Sequence, residues 1–599
     1  MATTTAPTKA PGRGDRWAGP GMLLPFALFY LVFLVGPLIY TVIAGFFDAS
    51  LLKKGLGDFA GLSNYTAVLG DDEFWRTLKN TLWFTVLTTV PLVLLSLVLA
   101  ILADRFVRGR WFFRFAFFAP FVLPSAVISL IFTFIYADQV GLAQQAATWV
   151  GVDTPPSWLG DPDWAMISIA AATVWWTIGF NFVLYLAGLQ DIPRSVHEAA
   201  AIDGAGPWQR IRHVIVPMLG PHHDPCDGPP GGRLPEGLRP DLHADHGRSR
   251  REHPSLPPTH LRHGLRGGPR RLRVHRLAAA LRGDPAGLAR LVRTRSPRRE
   301  GALIMTAIAT PPVTEQETTT AGAPRRYDAE RLFNRVALGA LIAFALLWLV
   351  PLAWALATSI RPAQEVVTDP TNWFTAHPTL AAYGDIFDAG KLPYWYANSF
   401  ITSILTTALT VVAASLAAFA LSQTRFRTRR AAFVVLLAGI MIPGQVLMIP
   451  QFLALQSVGL LNTYWGVVLP QVPNVVAVFV FKQFFDGIPR ELIDAARADG
   501  AGWLRTYRQI VMPISRPVIS AVTIFVFVGV WNNFLWPLLV VTDPEMMTLP
   551  VGLTSVQDVF GVPYAQLMAS AVLGAIPLLA VFLLFQRRIV EGIAGTGLK

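Results

Sequence analysis

One stretch occurs twice in this chain of 599 residues. It reads EAAAIDGAGPWQRIRHVIVP over Glu198 to Pro217 and DAARADGAGWLRTYRQIVMP over Asp494 to Pro513. The copies align without a gap, because equivalent positions such as Gly204 and Gly500 differ by 296 throughout. An alanine run favours a helix, Asp-Gly ends it, and the following arginine, aromatic and aliphatic residues can resume it. Each copy is therefore predicted to be a short exposed helix, a turn and a second helix.

Long apolar segments surround both copies. Apolar residues make up 53% of the chain and charged residues only 15%, which predicts an all-α, polytopic membrane protein rather than a large soluble enzyme. Ten segments are near or above the ~20 residues needed to cross the hydrocarbon core. They are Met22–Phe47, Thr81–Ala103, Phe112–Tyr136 and Trp164–Gly188 in the first half, and Leu332–Thr358, Ser399–Leu421, Ala431–Leu455, Thr463–Phe485, Val518–Val541 and Leu567–Gln586 in the second.

The arginines orient these spans. Loops with several arginines follow the second and fourth span of each half, whereas the loops after the first and third spans of the first half carry mostly aspartates. Positively charged loops stay in the cytoplasm. Both copies of the repeated stretch are therefore predicted to face the cytoplasm. The arginines that indicate this are Arg105, Arg108, Arg110, Arg114, Arg194, Arg210, Arg212, Arg425, Arg427, Arg429, Arg430, Arg490, Arg505 and Arg508.

The composition changes abruptly between the halves. Residues 220–304 hold 17 Arg, 12 Pro and 8 His, contain no Phe, Trp, Tyr, Lys, Asn or Gln, and carry a net charge of +9, so that the rest of the chain is only +3. Such a tract can bury too little apolar surface to fold, and its charge bars it from the bilayer. We expect a disordered tail at 1–20, a first half at 21–219, a disordered segment at 220–304, a linker at 305–331 and a second half at 332–599.

Three interpretations of residues 220–304 compete. Arginine tracts can bind nucleic acid or acidic lipid, but no aromatic residues are interleaved here. His243 and His246, like His260 and His263, have metal-like spacing, but no carboxylate or cysteine frame surrounds them. The third interpretation is translation in the wrong frame: codons for Leu238 to Arg250 can be chosen that, one base later, encode FDLIYMLTTGGP. We infer a lost or gained base near Leu219, which removes two spans, and Met305 is then the start of a second permease gene.

The repeated stretch resembles the EAA loop of ATP-binding-cassette importer permeases: Glu-Ala-Ala, a glycine after three residues, then nine residues, an aliphatic triplet and a proline. Its Asp-Gly-Ala form with Ile-Pro upstream is most similar to carbohydrate permeases of the maltose and glycerol-phosphate type. The second copy departs only by Asp494 in place of glutamate. The resemblance implies two homologous permease halves in one chain, the first truncated to four spans and the second with six.

The same resemblance implies a bacterial inner-membrane protein with partners. Two ATPase subunits, which bind the ATP and Mg²⁺, would receive the loops, and an extracellular solute-binding protein would deliver the solute. No cofactor, metal or nucleic acid is expected on this chain itself. The residues expected to contact or shape the ATPase interface are Glu198, Ala199, Ala200, Asp203, Gly204, Pro217, Asp494, Ala495, Ala496, Asp499, Gly500 and Pro513.

Few polar side chains lie within the predicted spans, and they indicate a candidate solute pathway. Amides beside tryptophans suit a neutral hydroxylated solute, because sugars stack on rings and bond through hydroxyls. Hydrogen bonding between helices explains the same residues equally well. They are Asn181, Trp175, Asn532, Asn533 and Trp536.

Two other classes of protein were weighed. An ion-coupled transporter also carries repeats, but it needs ionisable residues at membrane depth, which are scarce here. A membrane-embedded glycosyl transferase needs carboxylates or a large soluble loop at the membrane face. The chain has no Gly-x-x-x-x-Gly-Lys-Ser/Thr phosphate loop, so ATP must be hydrolysed by another chain, and its single Cys226 excludes a disulfide framework.

Overall fold

A computed structural model describes residues 13–49, 55–104, 106, 109–219, 324–370, 372–388, 390–560 and 564–597. The tract 220–304 and its expected disorder lie outside the described residues. The described chain is helical. Its helices are α1 Arg13–Tyr30, α2 Gly36–Ala44, α3 Ser63–Leu69, α4 Asp72–Asp104, α5 Arg110–Val122, α6 Ser125–Ile135, α7 Leu142–Trp149, α8 Pro162–Asp191, α9 Arg194–Ile202, α10 Pro207–Arg210, α11 Val216–Leu219, α12 Pro324–Ser359, α13 Ala363–Thr368, α14 Ala381–Asp388, α15 Leu392–Gln423, α16 Arg429–Ala438, α17 Gly444–Ser457, α18 Tyr464–Val468, α19 Val475–Asp486, α20 Arg490–Ala498, α21 Trp503–Thr506, α22 Met512–Ile514, α23 Arg516–Trp531, α24 Leu535–Val540, α25 Leu549–Phe560 and α26 Tyr564–Gly597.

The ten predicted spans correspond to six long apolar helices and four bent pairs in the described residues. Four of the ten predicted spans thus consist of two helices joined at a bend rather than one continuous helix. The third span of each half bends by about a right angle, 98° before Pro124–Ser125 and 99° before Pro443–Gly444. Proline lacks the N–H of a helical hydrogen bond and its ring clashes with the preceding turn, so the helix stops and restarts there.

The first span of each half packs against the helices of the other half. Phe26 and Tyr30 of α1 are buried among second-half residues such as Phe419, and the Tyr30 hydroxyl donates to the Val435 carbonyl oxygen at 2.7 Å. In return, Trp348 of α12 packs against Phe117 of the first half, with ring centroids 6.4 Å apart. The halves therefore share their apolar cores and form one body.

The last span of the second half also packs on the first half. Phe582 of α26 stacks on Phe118 at 5.0 Å between ring centroids, and Tyr564 meets Phe134 at 4.6 Å. Large aromatic pairs such as these contribute strongly to interfaces between helices. The bent third span of the first half, α5 with α6, is thereby enclosed by the carboxyl-terminal helices of the chain.

The loop after α12 is organised around a buried cation. Arg361 is 2% exposed, and its Nη2 donates to the carbonyl oxygens of Glu365 at 2.9 Å and Asp369 at 2.7 Å. Burial lowers the pKa of the Arg361 guanidinium, and the charges of Asp369 and Glu365 oppose that shift. The predicted orientation places this loop outside the cytoplasm, opposite the repeated stretch.

Candidate functional site

The first elbow, residues 194–219, begins where the fourth span ends. Ile192 is extended, with φ −70° and ψ 120°, the conformation that the following Pro193 favours. The short helix α9 then runs to Ile202, and Gly204 has φ +78°. Glycine adopts this left-handed conformation without the steric cost of a Cβ atom. The chain reverses there and resumes as α10, which confirms the predicted helix, turn and helix.

The second elbow, residues 490–514, follows the same path. Its helices α20 and α21 begin and end at the positions of α9 and α10 plus 296, and Gly500 has φ +81°. In the first turn the Ala205 N–H donates to the Ala200 carbonyl oxygen at 3.0 Å, and in the second the Ala501 N–H donates to that of Ala496 at 2.9 Å. These bonds satisfy the last carbonyls of each helix, as in a Schellman motif.

Different arginines stabilise the two turns at the same carbonyl group. Arg210 Nε donates to the Ala205 oxygen at 2.9 Å, from the helix after the turn. Arg497 Nη1 donates to the Ala501 oxygen at 2.9 Å, from the helix before it, and its guanidinium lies 4.6 Å from the Trp503 ring centroid. The backbone of the elbow is thus reproduced with different side chains.

A five-residue π-helical turn follows the second short helix in both elbows, at Ile211–Ile215 and Tyr507–Val511. Pro217 and Pro513 lie two residues beyond these turns. Proline offers no N–H to the carbonyl four residues earlier and clashes with it. Widening the helix by one residue relieves that conflict, and π turns of this kind often lie at functional sites. This gives the two prolines a structural role in the elbows.

The elbows present matching surfaces. The predicted interface residues Glu198, Ala199, Asp203 and Gly204 are exposed, and so are their equivalents in the second elbow. Ala200 and Ala496 differ, being only 9% and 7% exposed. The alanine run therefore has one face against the body of the protein and one face available to a partner. Ile202, 87% exposed, extends the available apolar surface and was not predicted from the sequence.

The second elbow and α19, the helix before it, are both hydrogen-bonded to α15, the second span of their half. At the end of α15 the Ser422 hydroxyl donates to Asp486 Oδ1 at 2.6 Å, and Gln423 Nε2 donates to the Phe485 carbonyl oxygen at 2.5 Å. Within the elbow, the hydroxyl of Tyr507 lies 2.8 Å from that of Ser415, which is also on α15. A displacement of the elbow would consequently move α15 and α19 together.

The candidate pathway residues lie at contacts between spans. Trp175 is buried and its indole N–H donates to the Trp348 carbonyl oxygen at 2.9 Å, whereas Asn181, on the same helix, is half-buried. Asn533 Nδ2 donates to Gln471 Oε1 at 2.7 Å, and the indole N–H of Trp536 donates to the Gly466 carbonyl oxygen at 3.2 Å. Hydrogen bonds between helices thus account for Trp175, Asn533 and Trp536.

The fifth candidate joins the halves. Asn532 Nδ2 donates to the Val122 carbonyl oxygen at 3.0 Å, just before the bend between α5 and α6. A bend leaves carbonyl groups without their helical partners, and a side-chain amide can satisfy one of them. The Asn532 Oδ1 atom is buried without a hydrogen-bond partner among the described residues.

A row of buried hydroxyls on α15 was missed by the sequence analysis. Thr410 Oγ1 donates to the Val472 carbonyl oxygen at 3.1 Å, but the hydroxyls of Ser403, Thr406 and Thr407 are buried without a partner in the described part of the chain. Their spacing of three and four residues places them on one helix face. That spacing of Ser and Thr within an apolar segment was the available signal.

Metal binding finds no support in the described ranges. They contain no group of three or more His, Cys, Asp or Glu side chains placed to hold an ion. The histidine pairs with metal-like spacing, His243 with His246 and His260 with His263, lie outside the described residues.

The chain was compared with known families and proteins. Residues 93–223 and 379–594, more than half of the chain, match the family described as "Binding-protein-dependent transport system inner membrane component". The arabinooligosaccharides transport system permease protein AraQ of Bacillus subtilis (strain 168) is 34% identical over 259 residues, which is 43% of this chain and 92% of that protein.

Other relatives show the same coverage. The sulfoquinovosyl glycerol transport system permease protein SmoH of Agrobacterium fabrum is 33% identical over 42% of this chain and 89% of its own length. The sn-glycerol-3-phosphate transport system permease protein UgpE of Rhizobium meliloti is 32% identical over 41% and 90%. A crystal structure of a bacterial ABC transporter that imports alginate is 23% identical, with a TM-score of 0.41, over 43% of this chain and 97% of that chain.

Proposed function

Because the chain belongs to the family of binding-protein-dependent transport system inner membrane components, we propose that it moves a carbohydrate or related polyol into the cytoplasm by alternating access. The chain is a transport component of the inner membrane and not an enzyme. ATP is hydrolysed by two copies of a separate ATPase subunit in this proposal. The repeated elbow is the observation that supports this proposal most strongly. Two elbows with the same backbone path provide two equivalent docking sites, one for each ATPase subunit.

The elbows transmit the closure of the ATPases to the spans. Glu198 and Asp494 hydrogen-bond or pair with the ATPase surface, and the exposed alanines Ala199 and Ala495 enter its cleft. Gly204 and Gly500 make the turn with backbone that no Cβ obstructs, since no atom lies within 4 Å of an added Cβ at either position. The bonds from α15 to α19 then carry the movement into the bundle.

A hydroxylated solute is favoured by the relatives and by the interior of the second half. Several relatives are named for oligosaccharides, sulfoquinovosyl glycerol and glycerol phosphate. The unpartnered hydroxyls on α15 and the half-buried amide of Asn181 can exchange hydrogen bonds with such a solute. Trp175 and Trp536 are buried and donate their N–H groups to carbonyls, so they shape the wall behind these polar residues.

The external partner of the proposed importer is a solute-binding protein. It docks on the side of the membrane opposite the elbows, where the loop after α12 is held by the bonds of Arg361 to the Glu365 and Asp369 carbonyl oxygens. Family membership favours this arrangement over an ion-coupled transporter or a glycosyl transferase.

Co-purification and uptake test the proposal. The tagged chain, expressed with a candidate ATPase subunit and solute-binding protein of the same organism, should retain the ATPase. The same chain with the inferred reading frame restored should take up an oligosaccharide only when ATP is present. A Walker-lysine variant of the ATPase serves as control, because it should still be retained but support no uptake. ATP-independent uptake, or uptake driven by a proton gradient, would contradict the coupling role. Uptake of an amino acid and no sugar would contradict only the solute class.

A further inference from the structure

A basic cavity lies beside the second elbow. It has a volume of about 610 Å³ and is lined by five arginines and one phenylalanine, with no carboxylate among the lining residues. The lining residues are Arg425, Phe426, Arg427, Arg429, Arg430 and Arg490. Five like charges around one concavity repel one another, so this arrangement is stabilised when an anion occupies it.

The cavity has an ordered wall. The loop between α15 and α16 is held by a bond from Arg429 Nη1 to the Thr424 carbonyl oxygen at 3.3 Å. The first span of the other half packs on it closely, because a Cβ on Gly19 would lie 2.5 Å from Thr424 Oγ1 and 2.6 Å from Phe426 Cδ1. The arginines are therefore presented from a fixed backbone rather than from a free loop.

Guanidinium groups suit phosphate as a ligand. Arginine presents a planar fork that bonds two oxygens of a phosphate at once, which a point charge does not. The cavity lies at the cytoplasmic end of the second span, where phospholipid headgroups lie, and basic pockets between helices on this side bind anionic headgroups. Phe426 supplies an apolar wall where a headgroup meets its glycerol and acyl chains.

We propose that this cavity binds the phosphate group of an anionic phospholipid. Arg490 is the first residue of the elbow helix α20, so the bound lipid links the membrane surface to the element that receives the ATPase. The first half repeats the residue types in sequence, with Arg105, Phe106, Arg108, Arg110 and Arg194. The link to the ATPase rests on the proposed function, whereas the binding of the lipid does not.

The test uses the full-length chain in nanodiscs of phosphatidylcholine alone or mixed equally with phosphatidylglycerol. We expect native mass spectrometry to show retained phosphatidylglycerol, and each arginine replaced should weaken retention about fivefold. The variant replaces Arg425, Arg427 and Arg430 by glutamine. The control replaces Arg587 and Arg588, which the sequence also places in the cytoplasm, by glutamine. It should retain the lipid as the unaltered chain does.

Four further measurements separate the alternatives. The melting temperatures of variant and control in pure phosphatidylcholine should agree, which shows that the variant folds, and lysine at the same three positions should retain the lipid weakly. Equal loss in the control would overturn the proposal in favour of bulk surface charge. Displacement by inorganic phosphate with no preference for phosphatidylglycerol would overturn the lipid source. Protection of the arginines from phenylglyoxal by the ATPase alone, with no lipid retained, would assign the cavity to that subunit instead.

Discussion

The two elbows share one backbone, whereas the bent third spans beside them are covered very differently. Aligning Pro124 with Pro443 pairs α5 and α6 with α16 and α17. In the first half the paired residues Val122, Val127 and Leu130 are 3%, 0% and 2% exposed, and in the second Met441, Val446 and Ile449 are 84%, 42% and 53% exposed. The first bend is covered by α25 and α26 of the second half. An elbow is thus made by local turn chemistry, and a covered span requires helices from the other half.

The largest expected effect concerns the helices that would cover the second bend. By the internal symmetry, they correspond to the sixth span of the first half and the helix before it, which we infer to be encoded after Pro217 in another reading frame. We expect a chain with that frame restored to raise ATP-driven uptake from background by at least about a hundredfold, because the transport wall is otherwise open. Uptake in cells that carry the ATPase and the binding protein measures this.

Accessibility of Met441 provides the control for this prediction. In a chain with Met441→Cys and Cys226→Ser, a lipid-soluble maleimide should label the thiol, and restoring the frame should protect it. Leu347→Cys, 62% exposed on α12, should label equally in both chains. Unchanged labelling at residue 441 in a chain that transports would show that the second bend needs no cover.

The second effect tests the likeness of the elbows. In the chain with the frame restored, Gly500→Glu should lower uptake by about tenfold or more without loss of membrane insertion, because a charged side chain enters the proposed docking surface. The left-handed φ also costs about 1–2 kcal/mol for a residue with a Cβ. Solute uptake measures the loss of transport, and the amount of protein in the membrane measures insertion.

Gly459 is a matched control for Gly500. Its φ is +70°, nothing lies within 4 Å of an added Cβ, and it lies between α17 and α18, on the opposite side of the membrane. Gly459→Glu carries the same backbone strain and should leave uptake within about twofold. Equal losses at both glycines would show that strain, not docking, is the cause.

The elbows were predictable and their surroundings were not. Ala, Asp-Gly and Pro act within a few residues, so α9 and α20 followed from the sequence. The positions of the π turns did not, although Pro37, Pro217 and Pro513 each lie two residues beyond one. A proline predicts that the helix is disturbed, but its clash can be relieved by a kink, by a break as at Pro443, or by a widened turn. The sequence does not say which of the three occurs.

The contacts between the halves could not be predicted from the sequence either. Trp175 and Asn181 lie within α8, one of the predicted spans, whereas Asn532 lies in the turn between α23 and α24. Their partners, Val122 for Asn532 and Trp348 for Trp175, are separated from them by 410 and 173 residues. No periodicity reports such a pairing, and a hydrogen bond to a carbonyl leaves no trace in the identity of the accepting residue.

A smaller effect measures the bond that joins the halves at the first bend. Asn532→Leu removes the donor to the Val122 carbonyl, which leaves a buried acceptor unsatisfied, and should lower stability by about 1–2 kcal/mol. Asn533→Leu is the neighbouring control, whose lost bond to Gln471 lies within the second half. Only Asn532→Leu should hasten proteolysis of the first half. The same proteolysis in both variants would place the weakness in the second half.

The smallest effect separates packing from solute contact. Trp175→Phe keeps an aromatic ring but removes the donor to the Trp348 carbonyl, so stability should fall by about 1 kcal/mol, while the KM for solute stays constant. Trp536→Phe makes the same change within one half.

Asn181→Ala should instead raise the KM with little change in melting temperature, because its half-buried amide has bonding capacity left for a solute. A raised KM in Trp175→Phe, with no change for Asn181→Ala, would move the solute to the seam between the halves. The covered first bend, and not the hydroxyl row of α15, would then be the wall that the solute passes.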